Sequence, residues 1–381
     1  MPWVIRAVTG REQLPTRPAA TENGLSTIYA LKPEMNEKDD SNRRLVAGWL
    51  FSVCAMLLVM AALGGATRLT GSGLSIMEWA PMRGVLPPLN DAEWNRLFAL
   101  YQQIPQYHLM HEGFGIEGFK RIFWLEWTHR LWGRLIGVAF LIPLVVLWRR
   151  GAVDRWMRVR LLVFFALGAL QGAIGWFMVA SGFFPESTAV SAYRLVIHLV
   201  LALVLYAAIL WTALSFWQPV PEARVGAWLR RLAGLCAALV SITTVTGGFV
   251  AGLRAGQGFN TFPLMGDGLV PPGYASLEPF LRNLTENWAA VQFDHRLLAT
   301  LTATLVLATV ALGLRTRPPR SLRRALLALG VLVVVQYALG VVTLLWFVPV
   351  VAGTAHQVVA VLVLMAAVAA LHASRPILRH P

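Results

Sequence analysis

The sequence predicts an all-α polytopic membrane protein whose eight transmembrane helices form two tandem-repeat four-helix bundles. Three observations carry that expectation. The chain is 57% hydrophobic and only 14% charged, against roughly 25% charged residues in an ordinary soluble domain. Eight apolar runs reach the length of about 20 residues that crosses a bilayer. The two halves of the chain repeat each other's motifs at a near-constant offset, which is the mark of a duplicated unit.

The spans, in order, are Leu45–Gly64, His129–Trp148, Leu161–Ala180, Tyr193–Trp217, Leu229–Gly252, His295–Leu314, Leu322–Trp346 and Pro349–Leu371. Residues 1–44 are polar and proline-containing, with no apolar stretch of the secretory type, and are expected to form a disordered cytoplasmic tail. A second start at Met35 would make the residues before it dispensable, and Glu12 and Glu22 argue against a mitochondrial transit peptide. Residues 45–217 make the first bundle, with a long outer segment at 65–128. Residues 229–371 make the second, with an outer segment at 253–294.

The net charge of +14 would suit a nucleic-acid binder, but its distribution excludes that reading. Arg149, Arg150, Arg155, Arg158 and Arg160 lie between spans two and three. Arg224, Arg230 and Arg231 lie between four and five, and Arg315, Arg317, Arg320, Arg323 and Arg324 between six and seven. Arginines confined to alternate short connections orient a membrane protein, and they place both termini in the cytoplasm. Cys54 and Cys236 stand inside apolar runs without metal-ligand spacing and read as small core residues.

Repetition gives the histidines their meaning. "EWTHRLWGRLIGV" matches "QFDHRLLATLTAT", "LQGAIGWFMV" matches "VQYALGVVTL", and "LGGATRLTGSGLS" parallels "TGGFVAGLRAGQGFN". His129, His198, His295 and His356 fall near the outer starts of spans two, four, six and eight. Each bundle thus offers two imidazoles at one depth from two helices. A planar iron macrocycle clamped by two axial imidazoles, a haem, fits that set. Zinc would require three or four ligands. Arg130 and Arg296 follow two of the histidines directly, Arg194 precedes His198 by one turn, and Arg68 and Arg254 stand at the exits of spans one and five. All five are candidates to bind haem propionates. The paired glycines of spans one and five would let a flat ring approach the backbone.

The motifs "GGATRLTGSGLSIMEWAP", "GVLPPL", "EGFKRIFWLEWTHRLWGR", "NTFPLMG", "NLTENWAAVQFDHR" and "GTAHQ" resemble those of the heme A synthase family, over about Leu63 to His356. The resemblance implies an oxidoreductase that converts the C8 methyl of haem o to a formyl group. It does so by successive oxygen-dependent hydroxylations through an alcohol and a gem-diol, giving haem a for cytochrome oxidase biogenesis. It implies substrate haem o at His129 and His198 in the first half and a haem b at His295 and His356 in the second. The expected partners are haem o from a haem o synthase, an electron donor that the sequence does not identify, and membrane lipid; the sequence leaves a homo-oligomer open, and the acidic residues of the tail point to a bacterial inner membrane.

The residues themselves favour a division of labour. Glu126 lies one helical turn before His129, whereas the matching position before His295 is the neutral Gln292. Glu126 is therefore the candidate proton acceptor at the reacting edge, a role that the resemblance also implies. Replacement by glutamine would be expected to preserve packing, as it copies Gln292. One branch of the family carries a cysteine pair in the first outer segment. Here 65–128 has none, so the chain resembles the cysteine-free type. That segment holds His108 and His111, read as surface histidines, and "FGIEGFKRIFWLEW", read as an amphipathic segment lying on the outer interface. The alternative function is an electron-transferring membrane cytochrome b with two permanent bis-histidine haems. A transporter would need broken helices at the midplane, whereas the polar residues gather at the outer end.

Overall fold

The computed structural model describes residues 37–185 and 187–377. Expectations for the segment before residue 37, including a second start at Met35, lie outside the described residues. Ten α-helices follow in order: α1 (Glu37–Leu69), α2 (Asp91–Tyr101), α3 (Pro105–Met110), α4 (Ile116–Arg149), α5 (Arg155–Val179), α6 (Ala192–Trp217), α7 (Ala227–Gly252), α8 (Trp288–Arg315), α9 (Arg320–Leu345) and α10 (Val350–Ala373). Among the described residues, eight helices are long and apolar enough to cross a membrane: all but α2 and α3. The protein is a multi-pass membrane protein built of helices. That architecture follows from the bilayer, in which every backbone amide must be satisfied within its own segment.

Three boundaries depart from expectation. The first helix is already present at Glu37, the first described residue, so it covers 37–44 of the segment expected to be a disordered tail. The outer segment 65–128 shrinks from both ends, because α1 continues to Leu69 and α4 starts at Ile116. The outer segment 253–294 likewise ends early, since α8 starts at Trp288, N-capped by the Asn287 carboxamide. The stretch from Ile116 to Trp127 is therefore no separate interfacial helix; it is the first three turns of α4. No breaker separates it from the span, and its apolar face (Phe119, Ile122, Phe123) is buried, so continuing the helix costs nothing.

Those residues belong to a small outer core with Leu74, Trp94, Leu97, Tyr101 and Ile104. Helices α2 and α3 fold over the outer end of α4 to form it, and Trp94 meets Phe123 edge to face with ring centroids 4.9 Å apart. Gln106 ties this cap to the exit of α1 by donating to the Gly71 carbonyl at 3.0 Å. The membrane core runs through both halves in one cluster, joining α1, α4, α5 and α6 to α7, α8, α9 and α10. Both cysteines are free and buried.

Helix α1 meets α4 through side chains. Pro143 stands inside α4, where its missing N–H leaves the carbonyl four residues earlier without a helical donor. That carbonyl belongs to Ala139, and the Trp49 indole of α1 donates to it at 3.0 Å. A second indole, Trp132 of α4, donates to the Met56 carbonyl at 2.9 Å.

The outer cap should respond to acid. His111 meets the Tyr101 hydroxyl at 2.5 Å and stacks on Phe114, and burial holds its imidazole below the ordinary value of 6.5. A histidine kept neutral by folding destabilises the fold when it is forced to protonate. The cap's stability is therefore complete above about pH 6.5 and falls as pH drops below it. Hydrogen exchange across 91–110 should accelerate between pH 7.5 and 5 beyond the intrinsic rate change. His111→Gln should remove that excess; an excess unchanged by the substitution would assign it elsewhere.

Candidate functional site

The four histidines of the sequence reading sit on alternate helices, α4, α6, α8 and α10. His198, His295 and His356 lie within about two turns of their helix starts. His129 lies deeper along its helix only because α4 begins outside the membrane run. His129 and His198 lie within electrostatic reach of each other, as do His295 and His356. Each imidazole belongs to a pair within its own half.

Each ring also rests on a glycine of the neighbouring helix. A methyl group built at Gly64 would lie 3.4 Å from His129 Nε2. At Gly175, Gly247 and Gly340 it would lie 3.1, 3.1 and 3.0 Å from the Cε1 atoms of His198, His295 and His356. At the last three a methyl would be too close and the ring would have to give, whereas at Gly64 it would meet His129 at ordinary contact distance. The paired glycines of spans one and five thus seat histidines through Gly64 and Gly247. Gly175 and Gly340 were not singled out in the sequence, although each follows a matched glutamine, Gln171 or Gln336, by four residues.

The polar surroundings of these rings are incomplete in a way that suits a metal ligand. The Thr246 hydroxyl donates to the Thr243 carbonyl and lies 2.9 Å from His295 Nδ1. It must therefore accept the Nδ1 proton, which leaves Nε2 of His295 with a bare lone pair. His198 Nδ1, His356 Nδ1, Gln171 Oε1 and Gln336 Oε1 are buried without a hydrogen-bond partner. Gln171 donates to the His198 carbonyl at 2.8 Å, and Gln336 Nε2 lies 3.5 Å from His356 Nε2. Among the described residues, no three histidine, cysteine or acidic side chains cluster to hold a metal by themselves. Two imidazoles per half, with unpartnered polar atoms beside them, fit a cofactor that brings its own equatorial ligands. His108 is exposed and His111 is bonded to Tyr101, so neither joins the set.

Glu126 is 2% exposed and held by four donors. Ser75 Oγ and the Ile76 backbone N–H reach Oε2 at 2.7 and 2.9 Å; Arg130 reaches Oε1 at 2.9 and 2.5 Å. The carboxylate thereby bolts the connection after α1 onto α4. Gln292 performs the same fastening in the second half with reversed polarity, its amide donating to the Ala255 and Gly258 carbonyls at 2.9 and 2.7 Å. This corrects the expectation that glutamine at 126 would preserve packing: the loop facing Glu126 presents donors, whereas the loop facing Gln292 presents carbonyls.

The arginines divide into two groups. Arg130 donates to the Ile76 and Glu78 carbonyls at 2.7 and 3.0 Å, besides pairing with Glu126. Arg296 donates to those of Phe259 and Thr261 at 2.6 and 2.9 Å. Arg194 donates to the Phe177 carbonyl at 2.8 Å and stacks on the Phe177 ring at 3.9 Å. These three guanidiniums hold backbone carbonyls, and only the N–H groups left over could serve a propionate. Arg134 supports the fold, donating to the Ala80 and Pro81 carbonyls.

Arg68 and Arg254 differ, because they lie within electrostatic reach of each other and neither forms an ion pair among the described residues. Arg254 reaches the Thr188 carbonyl of the first half at 3.4 Å. The two arginines are not at matching positions. The residue matching Arg254, just before the short turn that follows each helix, is Gly71, and both adopt left-handed backbone (φ 53° and 69°). Glycine takes that conformation freely, while a residue with a Cβ is strained in it. The strain places a second cation beside Arg68.

A family model described as cytochrome oxidase assembly protein matches residues 47–368. The heme A synthase of Granulibacter bethesdensis is 58% identical over 335 residues, 88% of each chain. The heme A synthase of Rhodospirillum centenum is 47% identical over 92% of this chain and 94% of its own. The heme A synthase 2 of Acidiphilium cryptum is 46% identical over 88% and 93%.

Glu126→Gln should loosen the first outer connection. It sets an amide N–H against either the Ile76 N–H or the Arg130 guanidinium, and it removes the charge opposite Arg130. The expected cost is about 1–3 kcal/mol, that of a buried polar group left unpaired. Hydrogen exchange and proteolysis within 72–80 should rise in the purified variant. Unchanged protection of that segment would contradict the fastening role.

Proposed function

The chain belongs to the heme A synthases, a family of cytochrome oxidase assembly proteins, and from that premise we propose how its residues divide the work. It is an oxidoreductase that converts haem o to haem a, with a haem cofactor besides its haem substrate. We assign the oxidised group as the C8 methyl. Two successive hydroxylations, each consuming oxygen and two electrons from an external donor, would give a gem-diol that loses water to leave the formyl group.

Four imidazoles seated on glycines, two in each half, carry this reading. His129 and His198 would hold the substrate haem o, and His295 and His356 a resident haem b. When bound, the haem b supplies one-electron transfer toward the substrate. The chain's own residues position and enclose. Thr246 sets the tautomer of His295, while Gln171 and Gln336 stand beside His198 and His356. Arg68 and Arg254 provide two positive charges that form no ion pair among the described residues, suited to propionates. Glu126 is reassigned from proton acceptor to positioning residue. Both of its oxygens are engaged, so it keeps the 72–78 connection fixed over the outer part of α4, one turn from His129.

The arginine-bearing connections α4–α5, α6–α7 and α8–α9 would face the cytoplasm with both termini, and the histidines would lie toward the outer face of a bacterial inner membrane. The domain division at 45–217 and 229–371 follows the histidine pairs and is proposed on that basis. Haem o would come from a haem o synthase. The alternative, a cytochrome b with two permanent haems, predicts equal occupancy of both halves.

The test is to purify the protein from cells with and without a haem o supply and to identify the extracted haems by mass. His295→Ala and His356→Ala should lose haem b. His129→Ala and His198→Ala should retain haem b and yield no haem a. Loss of haem b from the first-half variants with activity intact would reverse the assignment. Two equivalents of haem b in every preparation would favour the cytochrome.

Arg254→Gly separates binding from folding. It removes the left-handed strain, so the variant should be at least as stable as the parent, by about 1 kcal/mol. It also removes a cation from the proposed propionate site, so haem a yield should drop. A thermal midpoint raised or unchanged with activity unchanged would show that Arg254 serves neither substrate nor cofactor.

A further inference from the structure

A second site lies away from the histidines, at the arginine-rich end of the membrane core. Between α1 and α4 the surface opens into a groove of about 520 Å³ lined by Leu45, Gly48, Trp49, Ile142, Pro143 and Val146, with Arg44 and Arg150 at its mouth. The groove is built into the helices. A methyl group added at Gly48 would meet nothing within 4 Å, so the glycine leaves a channel along α1. On the opposite wall Pro143 interrupts α4, and the indole of Trp49 closes the floor by binding the carbonyl that Pro143 leaves bare. The floor is therefore held by a hydrogen bond between the two walls.

The chemistry of the lining selects the occupant. Leu45 and Ile142 are 50% and 59% exposed, which inside a bilayer means exposed to acyl chains. Arg150 caps the end of α4 and forms no ion pair among the described residues. A largely apolar trough between two spanning helices, ending at two guanidiniums where the apolar runs stop, matches an amphiphile with an anionic head. Basic pockets between transmembrane helices recognise such lipids by pairing arginine with the phosphodiester. We infer that this groove seats one anionic phospholipid, its acyl chain along Gly48, Trp49 and Pro143 and its phosphate between Arg44 and Arg150. The inference is independent of which half binds haem o. A neutral lipid, or a helix from a second copy, would fill the trough without using the arginines.

Native mass spectrometry of the full-length protein, released from nanodiscs of equal phosphatidylglycerol and phosphatidylcholine, tests it. The parent should retain one phosphatidylglycerol in preference to phosphatidylcholine. Arg150→Gln should reduce that preference by about fivefold, the worth of one arginine at an anionic surface. Gly48→Leu, whose side chain enters the open trough, should lose the retained lipid altogether while its haem content and haem a yield stay at parental levels. Equal retention of both lipids by the parent would overturn the inference, as would unchanged retention by Gly48→Leu. A dimer that Gly48→Leu disrupts would give the groove to a second copy instead and would equally overturn it.

Discussion

Contact between imidazole and glycine is the constraint on which the rest of the site depends. A histidine at a helix–helix interface in a membrane normally has to be satisfied by a neighbour, because an unpaired polar group there is costly. Here the neighbour offers no polar group at the point of contact. Gly64, Gly175, Gly247 and Gly340 present bare backbone to the four rings. Each glycine lets its helix come close enough to orient a ring while leaving a nitrogen free for something else. Four such contacts on four helix pairs place the free nitrogens; the fold then follows from the lengths of the spans.

The outer connections are fastened by a second recurring device. Position 126 and its counterpart 292 tie the turn after α1 or α7 onto the next long helix, and Arg130 and Arg296 clamp the same turns by their carbonyls. The polarity differs: in the first half the turn donates and the carboxylate accepts, while in the second the turn accepts and the amide donates. An ionised bolt balanced by Arg130 is sensitive to rearrangement of its surroundings, because moving either partner exposes a buried charge. An amide bolt is indifferent. The half that carries the charge is also the half proposed to exchange its ligand.

Much of this was legible from residue order. Span number follows from apolar run length, and the histidine pairs follow from repetition together with the sign of the connections. Helix ends were less legible: α4 extends three turns beyond the apolar run because Phe119, Ile122 and Phe123 are buried by α2 and α3, a tertiary effect with no local signal. The arginine roles were legible only by type. Propensity and spacing mark Arg130, Arg194 and Arg296 as cations near histidines, but which carbonyl each one meets depends on loop conformation. The left-handed backbone at Arg254 could not be read at all, since the sequence there offers Gly252 and Gly256 as easier places to turn.

The two halves also differ in how their helices are joined, and this bears on why they would hold haem differently. In the second half α7 lies close along α8, and α9 along α10, through long backbone-to-backbone approaches. In the first half α1 is tethered by side chains: Trp49 and Trp132 to and from α4, and Gln357 of α10, which donates to the Ala61 carbonyl at 2.8 Å while lying against Gly65. Side-chain tethers can release singly, whereas an interdigitated helix pair must separate as a whole. A substrate that enters as haem o and leaves as haem a needs a site whose wall can move, and α1 is the wall that carries Gly64 beneath His129. Gln357 adds a further consequence. It follows His356 directly and binds α1 one turn before Gly64, so displacement of α1 is felt beside the second histidine pair. One amide thus joins α1, which carries Gly64 against His129, to the helix that carries His356.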